Sequence, residues 1–157
     1  MNTKKELPLR TGVGIVLLNH QNKVFVAKRI DNPNIFWQMP QGGVDKGENL
    51  LNAAKRELKE ETSIKSVKLI KEFDGWIKYS LPSKLIGKVW KGEYSGQKQK
   101  WFVMKFLGND KEINIKTKNP EFFEWKWTHI DKITDYVVDF KLHVYKEIKE
   151  KVKKIIS

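Results

Sequence analysis

Residues 42–64 of the chain read GGVDKGENLLNAAKRELKEETSI. The glycines and Asp45 are typical of a turn, and the residues after them predict a helix that has Asn49 as its N-cap and runs to Thr62. Three apolar residues recur at helical spacing and form a narrow stripe for a hydrophobic core: Leu51, Ala54 and Leu58. The stretch therefore predicts an amphipathic helix directly after a tight turn.

A second face of the same helix carries three carboxylates. Glu57, Glu60 and Glu61 stand at positions i, i+3 and i+4, which are neighbours on a helix surface. Their repulsion would destabilise the helix unless a cation neutralised it, and carboxylate oxygens suit Mg²⁺ or Mn²⁺. A solvated acidic face is the ordinary alternative, but it is less expected in a chain whose formal net charge is +12. We therefore predict a divalent metal site on this face.

Arg56 follows Glu48 by eight residues, so a regular helix would bring the two side chains only partly together. We hypothesise that the loop at Gly47 folds back and that a salt bridge between Glu48 and Arg56 fixes the start of the helix. A structure with these side chains far apart would refute the hypothesis.

The spacing of these residues resembles the Nudix box, the signature of the Nudix hydrolases: Gly42, then Glu48 after five residues, then Arg56 after seven more. The resemblance implies that the three helix carboxylates hold divalent ions. It also implies a structural role in the motif for four residues: Gly42, Gly43, Glu48 and Arg56. Ser63 departs from the pattern, because the family usually has Gly there to end the helix in a left-handed conformation. Serine in that conformation costs about 1 kcal/mol, so we expect the departure to affect stability rather than activity.

Further segments resemble one branch of this family, the bacterial RNA 5′-pyrophosphohydrolases, which are close relatives of the dinucleoside tetraphosphate hydrolases. The segments are WQMPQGG at 37–43, GQKQKWF at 96–102 and VVDFK at 137–141. The similarity extends over roughly residues 10–146. It implies an α/β fold, the Nudix α/β/α sandwich, with a mixed β-sheet between helices. The length of the chain and the lack of a linker or internal repeat predict a single domain over residues 1–157.

The order of elements agrees with that fold. Hydrophobic runs predict strands at 13–18, 24–28, 67–73, 76–79, 100–107 and 124–128. Two long amphipathic patterns predict helices at 49–62 and 140–156. Residues 81–96 read as an irregular insertion, and residues 31–34 as a loop.

The resemblance also assigns residues outside the box. Related enzymes complete the metal ligands with one more carboxylate, and Glu121 matches its position; Glu57 is our choice of general base, since a carboxylate beside the ions can accept a proton from water, although any of the four carboxylates could serve. Five residues match positions near the substrate, most with phosphates: Arg10, Lys28, Tyr79, Gln97 and Lys100. Three more match the segment that holds a base: Val138, Phe140 and Lys141. Taken singly, the lysines are ordinary surface charges, and Phe140 is equally a hydrophobic residue that packs on the core.

Composition limits the function classes. The chain has 157 residues, no cysteine and an estimated pI near 9.7. The absence of cysteine excludes disulfides and thiolate chemistry and suits a reducing cytoplasm. The first ten residues lack the apolar run of a signal segment, so we expect a cytoplasmic protein that does not enter a membrane. The basic charge favours polyanions such as nucleic acid or nucleotide phosphates, although many lysines serve only to solvate a surface.

We therefore predict a Mg²⁺- or Mn²⁺-dependent hydrolase. The favoured substrate is the 5′-triphosphate end of RNA, which would lose pyrophosphate to leave a 5′-monophosphate and so promote transcript decay. The alternative is hydrolysis of a dinucleoside polyphosphate such as diadenosine tetraphosphate. A non-catalytic nucleic-acid-binding module is a third interpretation, and the intact carboxylates at 57, 60 and 61 argue against it.

Overall fold

A seven-stranded mixed sheet forms the centre of the computed structural model, which describes residues 7–31 and 36–156. Its strands are β1 (Leu9–Leu18), β2 (Val24–Arg29), β3 (Gln41–Gly43), β4 (Val67–Glu72), β5 (Ile77–Ser80), β6 (Gly96–Phe106) and β7 (Phe122–Thr128). The helices are α1 (Leu50–Thr62) and α2 (Leu142–Ile156). The order across the sheet is β4-β6-β1-β2-β7, with β3 paired to β1 and β5 paired to β6.

The long strands β1 and β6 run parallel in the middle of the sheet, from the pair Leu9 and Gly96 to the pair Leu18 and Lys105. The other pairings in the described sheet are antiparallel. This central pair brings the polar beginning of β6 beside the beginning of β1, where Arg10 lies opposite Gln97. The mixed sheet that the sequence predicted is thus confirmed.

One helix covers each face of the sheet. Helix α1 packs Ala53, Ala54 and Leu58 against one layer of buried strand residues. Helix α2 covers the opposite layer with four buried side chains: Val144, Tyr145, Ile148 and Val152. The Tyr145 hydroxyl also accepts a hydrogen bond of 2.9 Å from the backbone N–H of Met39, which ties α2 to the segment before β3. The predicted sandwich is confirmed by this arrangement.

Several boundaries differ from the predicted ones. Strand β1 begins at Leu9 and β6 at Gly96, four residues earlier than predicted in each case, because their polar ends pair with each other through the backbone. Strand β3 was not predicted, since three residues without large side chains give no strand pattern. Helix α2 begins at Leu142, after a 3₁₀ turn at Asp139–Lys141. Most of the loop predicted at 31–34 lies outside the described residues.

The insertion between β5 and β6 is largely irregular, as predicted, and contains one short 3₁₀ segment at Trp90–Gly92. In the part of the chain that the structure describes, no helix has the length and apolar character needed to cross a bilayer.

Candidate active site at helix α1

The turn before helix α1 is held by a network around Arg56. Gly47 adopts a left-handed conformation with φ of 77°, and the Asn49 side chain caps the helix by accepting the N–H of Asn52 at 3.1 Å. The loop thereby folds back, and the Arg56 guanidinium donates to both oxygens of Glu48 at 2.8 and 2.9 Å. The hypothesis of a Glu48–Arg56 salt bridge is confirmed. Its cause is visible in the positive φ at Gly47, which a residue with a side chain rarely adopts.

Arg56 also binds two of the three helix carboxylates. It donates to Glu57 at 2.9 Å and to Glu60 at 3.2 Å. It also donates to the Gly43 carbonyl at 3.0 Å and lies 3.8 Å from the Asp45 carboxylate. Glu57 in turn lies against Gly42, where any Cβ would overlap its carboxylate. Repulsion between the helix carboxylates is therefore offset in part by one arginine, and the glycine allows Glu57 to approach the turn.

Glu61 has a different environment. Its side chain is buried, with 3% exposure of the residue, and neither carboxylate oxygen has a hydrogen-bond partner. Burial raises the pKa of Glu61 well above its usual value, and the nearby carboxylates of Glu121 and Glu57 raise it further. A buried carboxylate with no partner is costly unless something charged or hydrogen-bonding completes it.

Glu121 approaches the helix from the start of β7, sixty positions after Glu61. Its backbone carbonyl accepts the N–H of Ile30 at 2.8 Å, which fixes this segment at the end of β2. The Glu121 charge raises the pKa of both Glu57 and Glu61. The structure therefore brings Glu121 into the electrostatic neighbourhood of the helix carboxylates.

The donor set fits a hard divalent cation. Within residues 7–31 and 36–156, no three carboxylate or imidazole groups already converge on one point. The unpartnered oxygens of Glu61, however, lack the interaction that a cation would supply, and the neighbouring donors are all carboxylates. The residues that would hold such an ion are Glu57, Glu60, Glu61 and Glu121.

Arg29 lies near this group and was missed by sequence reasoning. Its guanidinium donates to both oxygens of Asp31, at 2.7 and 2.6 Å. The charges of Glu121 and Glu61 help to raise its pKa, after the larger effect of Asp31. Asp31 two residues after an arginine is a weak sequence signal, so only the fold could identify Arg29 as a neighbour of the acidic group.

A chain of buried amides lies on the other face of the sheet. The Tyr79 hydroxyl donates to the Gln97 side-chain oxygen at 2.9 Å, and Gln99 donates to the same oxygen at 2.9 Å. Gln99 also donates to Gln41 at 2.9 Å and accepts the indole N–H of Trp101 at 3.0 Å. Burial raises the pKa of Tyr79 above its usual value. Tyr79 and Gln97 are thus brought together, and both are held in fixed orientations.

Arg10 lies beside these residues and reaches the turn before α1. A Cβ on Gly43 would overlap its guanidinium, and the Trp90 ring lies 5.2 Å from the guanidinium carbon. A cavity of about 450 Å³ opens here, and its lining includes Arg10, Lys46 and Glu57. Arg10 and the helix carboxylate Glu57 therefore face one cavity.

The two lysines assigned by resemblance have other neighbours. Lys28 lies 3.8 Å from Glu124 and over the Trp37 ring at 4.8 Å. Lys100 lies 3.5 Å from Glu72, and its ammonium donates to the Gly75 carbonyl at 3.4 Å. Neither ammonium has one of the box carboxylates within 4 Å.

The segment assigned to base binding lies next to Tyr79. Phe140 is half-buried against the α2-side core, with its ring 5.7 Å from that of Tyr79. The Lys141 ammonium lies 5.5 Å from the Tyr79 ring and 5.9 Å from the Phe140 ring. Burial, followed by the charge of Arg29, lowers the pKa of Lys141 to about 7. Val138 precedes the 3₁₀ turn that carries both residues.

A comparison with known protein families identifies the family to which the chain belongs. The NUDIX domain matches residues 8–148 of the chain. The chain belongs to the NUDIX family. Family membership and the relatives below make it a phosphoanhydride hydrolase, of a kind that generally needs divalent metals.

Two curated relatives of this Nudix hydrolase share a name. A protein of Pelagibacter ubique (strain HTCC1062), named RNA pyrophosphohydrolase, is 69% identical over 156 residues, which is 99% of each chain. A protein of the same name from Rhodospirillum rubrum is 46% identical over 142 residues, covering 90% of this chain and 86% of that protein.

Solved structures share the fold at low sequence identity. The E. coli dihydroneopterin triphosphate pyrophosphohydrolase superposes with a TM-score of 0.72 at 20% identity and covers 92% of this Nudix hydrolase and 99% of that chain. A C. elegans Ap4A hydrolase superposes with a TM-score of 0.64 at 17% identity, covering 91% and 98%. At these identities the likeness establishes the fold alone.

Proposed function

We propose that this Nudix hydrolase removes pyrophosphate from the 5′-triphosphate end of RNA and leaves a 5′-monophosphate, a step that would promote transcript decay. The observation that carries the proposal is the buried, unpartnered Glu61 beside Glu57 and Glu121, next to a cavity that also exposes Arg10. The name shared by the relatives at 69% and 46% identity supports RNA as the substrate class.

The proposed cofactor is Mg²⁺ or Mn²⁺, held by Glu57, Glu60, Glu61 and Glu121. Bound there, the ions would neutralise phosphate oxygens and help to activate water. Arg56 donates hydrogen bonds to both Glu57 and Glu60. Glu57 is also shielded from solvent, so its carboxylate has little freedom to turn away, whereas Glu60 is more exposed. Carboxylates that are fixed before the substrate binds need no reorganisation when the metal ions and the phosphate oxygens enter the site.

Glu57 is the proposed general base. Burial raises its pKa, while Arg56 opposes the shift, so Glu57 combines a basic carboxylate with a fixed position. A base with a raised pKa accepts a proton from water more readily near neutral pH. The absence of a side chain at Gly42 leaves the room that the Glu57 carboxylate itself occupies against the turn.

Substrate contacts would come from the opposite side of the site. Arg10, which lines the cavity, is proposed to donate to phosphate oxygens. Tyr79 and Gln97 remain proposed phosphate contacts, but they are buried and hydrogen-bonded to each other, so they would have to become accessible before reaching a phosphate. Val138, Phe140 and Lys141 are proposed to hold a base, and stacking on an aromatic ring contributes about 1–3 kcal/mol per base. Lys28 and Lys100 remain proposed substrate contacts that would have to leave Glu124 and Glu72 to reach a phosphate.

A dinucleoside polyphosphate such as diadenosine tetraphosphate is the second candidate substrate. Tyr94 lines the same cavity as Arg10 and Glu57, and its ring could stack against a second nucleoside.

We further propose that the protein is cytoplasmic, since RNA and nucleotides are found in that compartment. We also propose that residues 1–157 form a single Nudix domain.

The test compares 5′-triphosphorylated RNA with diadenosine tetraphosphate, with and without Mg²⁺. We expect metal-dependent release of pyrophosphate from RNA, with a higher kcat/KM than that for the dinucleotide. Glu57→Gln and Glu60→Gln should each reduce turnover by about 100-fold or more while the circular dichroism spectrum is unchanged. Full activity in both variants would remove the proposed site, and exclusive use of the dinucleotide would select the second candidate.

A further inference from the structure

The insertion between β5 and β6 is fastened to the segment that leads into β1. The N–H of Ser95 donates to the Pro8 carbonyl at 3.0 Å, and the Ser95 hydroxyl donates to the Leu7 carbonyl at 2.8 Å. At its other end, the Leu81 N–H donates to the Ser95 carbonyl at 2.8 Å, which closes the insertion into a loop. The loop therefore has a fixed position relative to Arg10, two residues after Pro8.

The backbone of this loop is strained at two consecutive residues. Trp90 and Lys91 have φ values of 51° and 59°, in the left-handed region that residues with a Cβ rarely adopt. Each such residue costs about 1–3 kcal/mol, and strain of this kind persists only where the surroundings enforce it. Lys91 is exposed, so its own side chain gives no packing reason for the strain. The left-handed segment carries the Trp90 ring, which contacts Arg10.

That ring lies against the Arg10 guanidinium. The guanidinium carbon is 5.2 Å from the ring centroid, within the range of a cation–π contact. Tyr94 supports the ring from its edge, at 6.2 Å between centroids. Arg10 also packs against Gly43, where a Cβ would leave no room for it.

Arg10 is thus held in place without an ion pair to a carboxylate. Among the described residues, no carboxylate lies within 4 Å of its guanidinium. An aromatic face and a glycine backbone position the cation but leave its N–H groups able to donate to a ligand. Lys46 adds a second cation to the cavity of about 450 Å³ that Arg10 lines, and Glu57 lies on the same cavity.

We propose that Trp90 is a positioning residue that holds Arg10 for the terminal phosphates of a 5′-polyphosphate, the diphosphate that would depart in the reaction. The inference rests on the proposed function for the direction of cleavage, and it deepens that function by assigning a diphosphate subsite to the cavity between the turn and the insertion. Trp90 acts through Arg10 and does not itself contact the reacting atoms.

The first experiment is a double-mutant cycle with Trp90→Ala and Arg10→Ala on triphosphorylated RNA. Loss of the cation–π contact should raise KM by about 3- to 10-fold with a smaller change in kcat. Trp90→Phe should restore most of the affinity, because it keeps an aromatic face. In the Arg10→Ala background, Trp90→Ala should have no further effect. Trp76→Ala is the matched control, since its exposed ring carries Lys98 at 5.0 Å away from this cavity, and it should leave KM unchanged.

The second experiment measures binding of inorganic pyrophosphate by calorimetry in the presence of Mg²⁺. We expect weaker binding in Trp90→Ala and in Arg10→Ala, and wild-type binding in Trp90→Phe. An unchanged KM and unchanged pyrophosphate affinity in Trp90→Ala would overturn the inference, as would an equal effect of Trp90→Ala with and without Arg10. If pyrophosphate binding depends on Trp90 but no pyrophosphate is released from RNA, the proposed function fails while the subsite stands.

Discussion

Glu48 lies just before helix α1 and Glu61 near its end, and their carboxylates differ in whether they have hydrogen-bond partners. Glu48 accepts two hydrogen bonds from Arg56 and one from the backbone N–H of Asp45 at 3.0 Å. Glu61 is more deeply buried, yet both of its oxygens are without a partner. The difference separates two uses of the same residue type, since the first carboxylate stabilises the fold and the second is left for a ligand.

The two carboxylates contribute to the free energy of folding with opposite sign. Hydrogen bonds from a charged donor contribute about 1.5–3 kcal/mol each where they are shielded from water. An unpartnered buried carboxylate instead opposes folding, and it persists where binding compensates for it. Arg56 therefore stabilises the turn and orients the carboxylates beside it. The unpartnered carboxylate of Glu61 and its acidic neighbours favour the binding of a cation.

The largest expected effect is that of Glu61→Gln. Removing this charge should lower turnover by about 100-fold or more, because a proposed ligand is lost. The variant should be at least as stable as the wild type without metal, because it no longer buries an unpaired carboxylate. The measurements are steady-state turnover and the thermal shift on adding Mn²⁺, which should disappear. The exposed Glu150→Gln serves as a control, and a Glu61→Gln protein with normal turnover would contradict the comparison.

Arg56→Met at the other end of the helix should lower stability, which Glu61→Gln should not. The variant should lose about 1–3 kcal/mol of unfolding free energy, since the hydrogen bonds to Glu48, Glu57 and Glu60 disappear but are partly exposed to solvent. Urea denaturation measures this loss. Stability equal to that of the wild type would show that the Arg56 network contributes nothing to the fold.

Glu48→Gln sharpens the comparison through pH. Hydrogen bonds from Arg56 lower the pKa of Glu48 from 4.5 to about 2. A lowered carboxylate pKa gives stability that is fully present above the ordinary pKa and is lost as the pH falls toward the folded-state value. The difference in Tm between wild type and variant should therefore be constant above about pH 5 and shrink between about 4.5 and 2. A difference that is independent of pH down to 2 would exclude this origin.

Ser63→Gly should have the smallest effect. Ser63 has φ of 68° and ends α1 in the left-handed conformation that the sequence predicted, and its hydroxyl donates to the Asn114 carbonyl at 2.9 Å. Glycine relieves about 1 kcal/mol of strain but loses that exposed hydrogen bond. We expect a gain in unfolding free energy of less than about 1 kcal/mol and unchanged turnover. A loss of stability would mean that the hydroxyl contributes more than the strain costs.

The sequence alone determined what depends on neighbours along the chain. The N-cap at Asn49 and the common face of the helix carboxylates follow from spacings of a few residues. Helix periodicity and turn chemistry act over that range, so a single stretch of 23 residues predicts them. The pairing of Glu48 with Arg56 needed the further hypothesis of a folded-back loop at Gly47, and the left-handed end at Ser63 came from the resemblance to the family motif.

Only the tertiary structure decided which distant residues meet. Burial without a partner at Glu61, the approach of Arg29 and the Trp90 ring against Arg10 depend on the parallel register of β1 with β6 and on how β2 meets β7. Register and burial are set by the packing of the whole sheet between its two helices. A pattern along the chain carries no record of these distances, because residues far apart in sequence contribute to each of them.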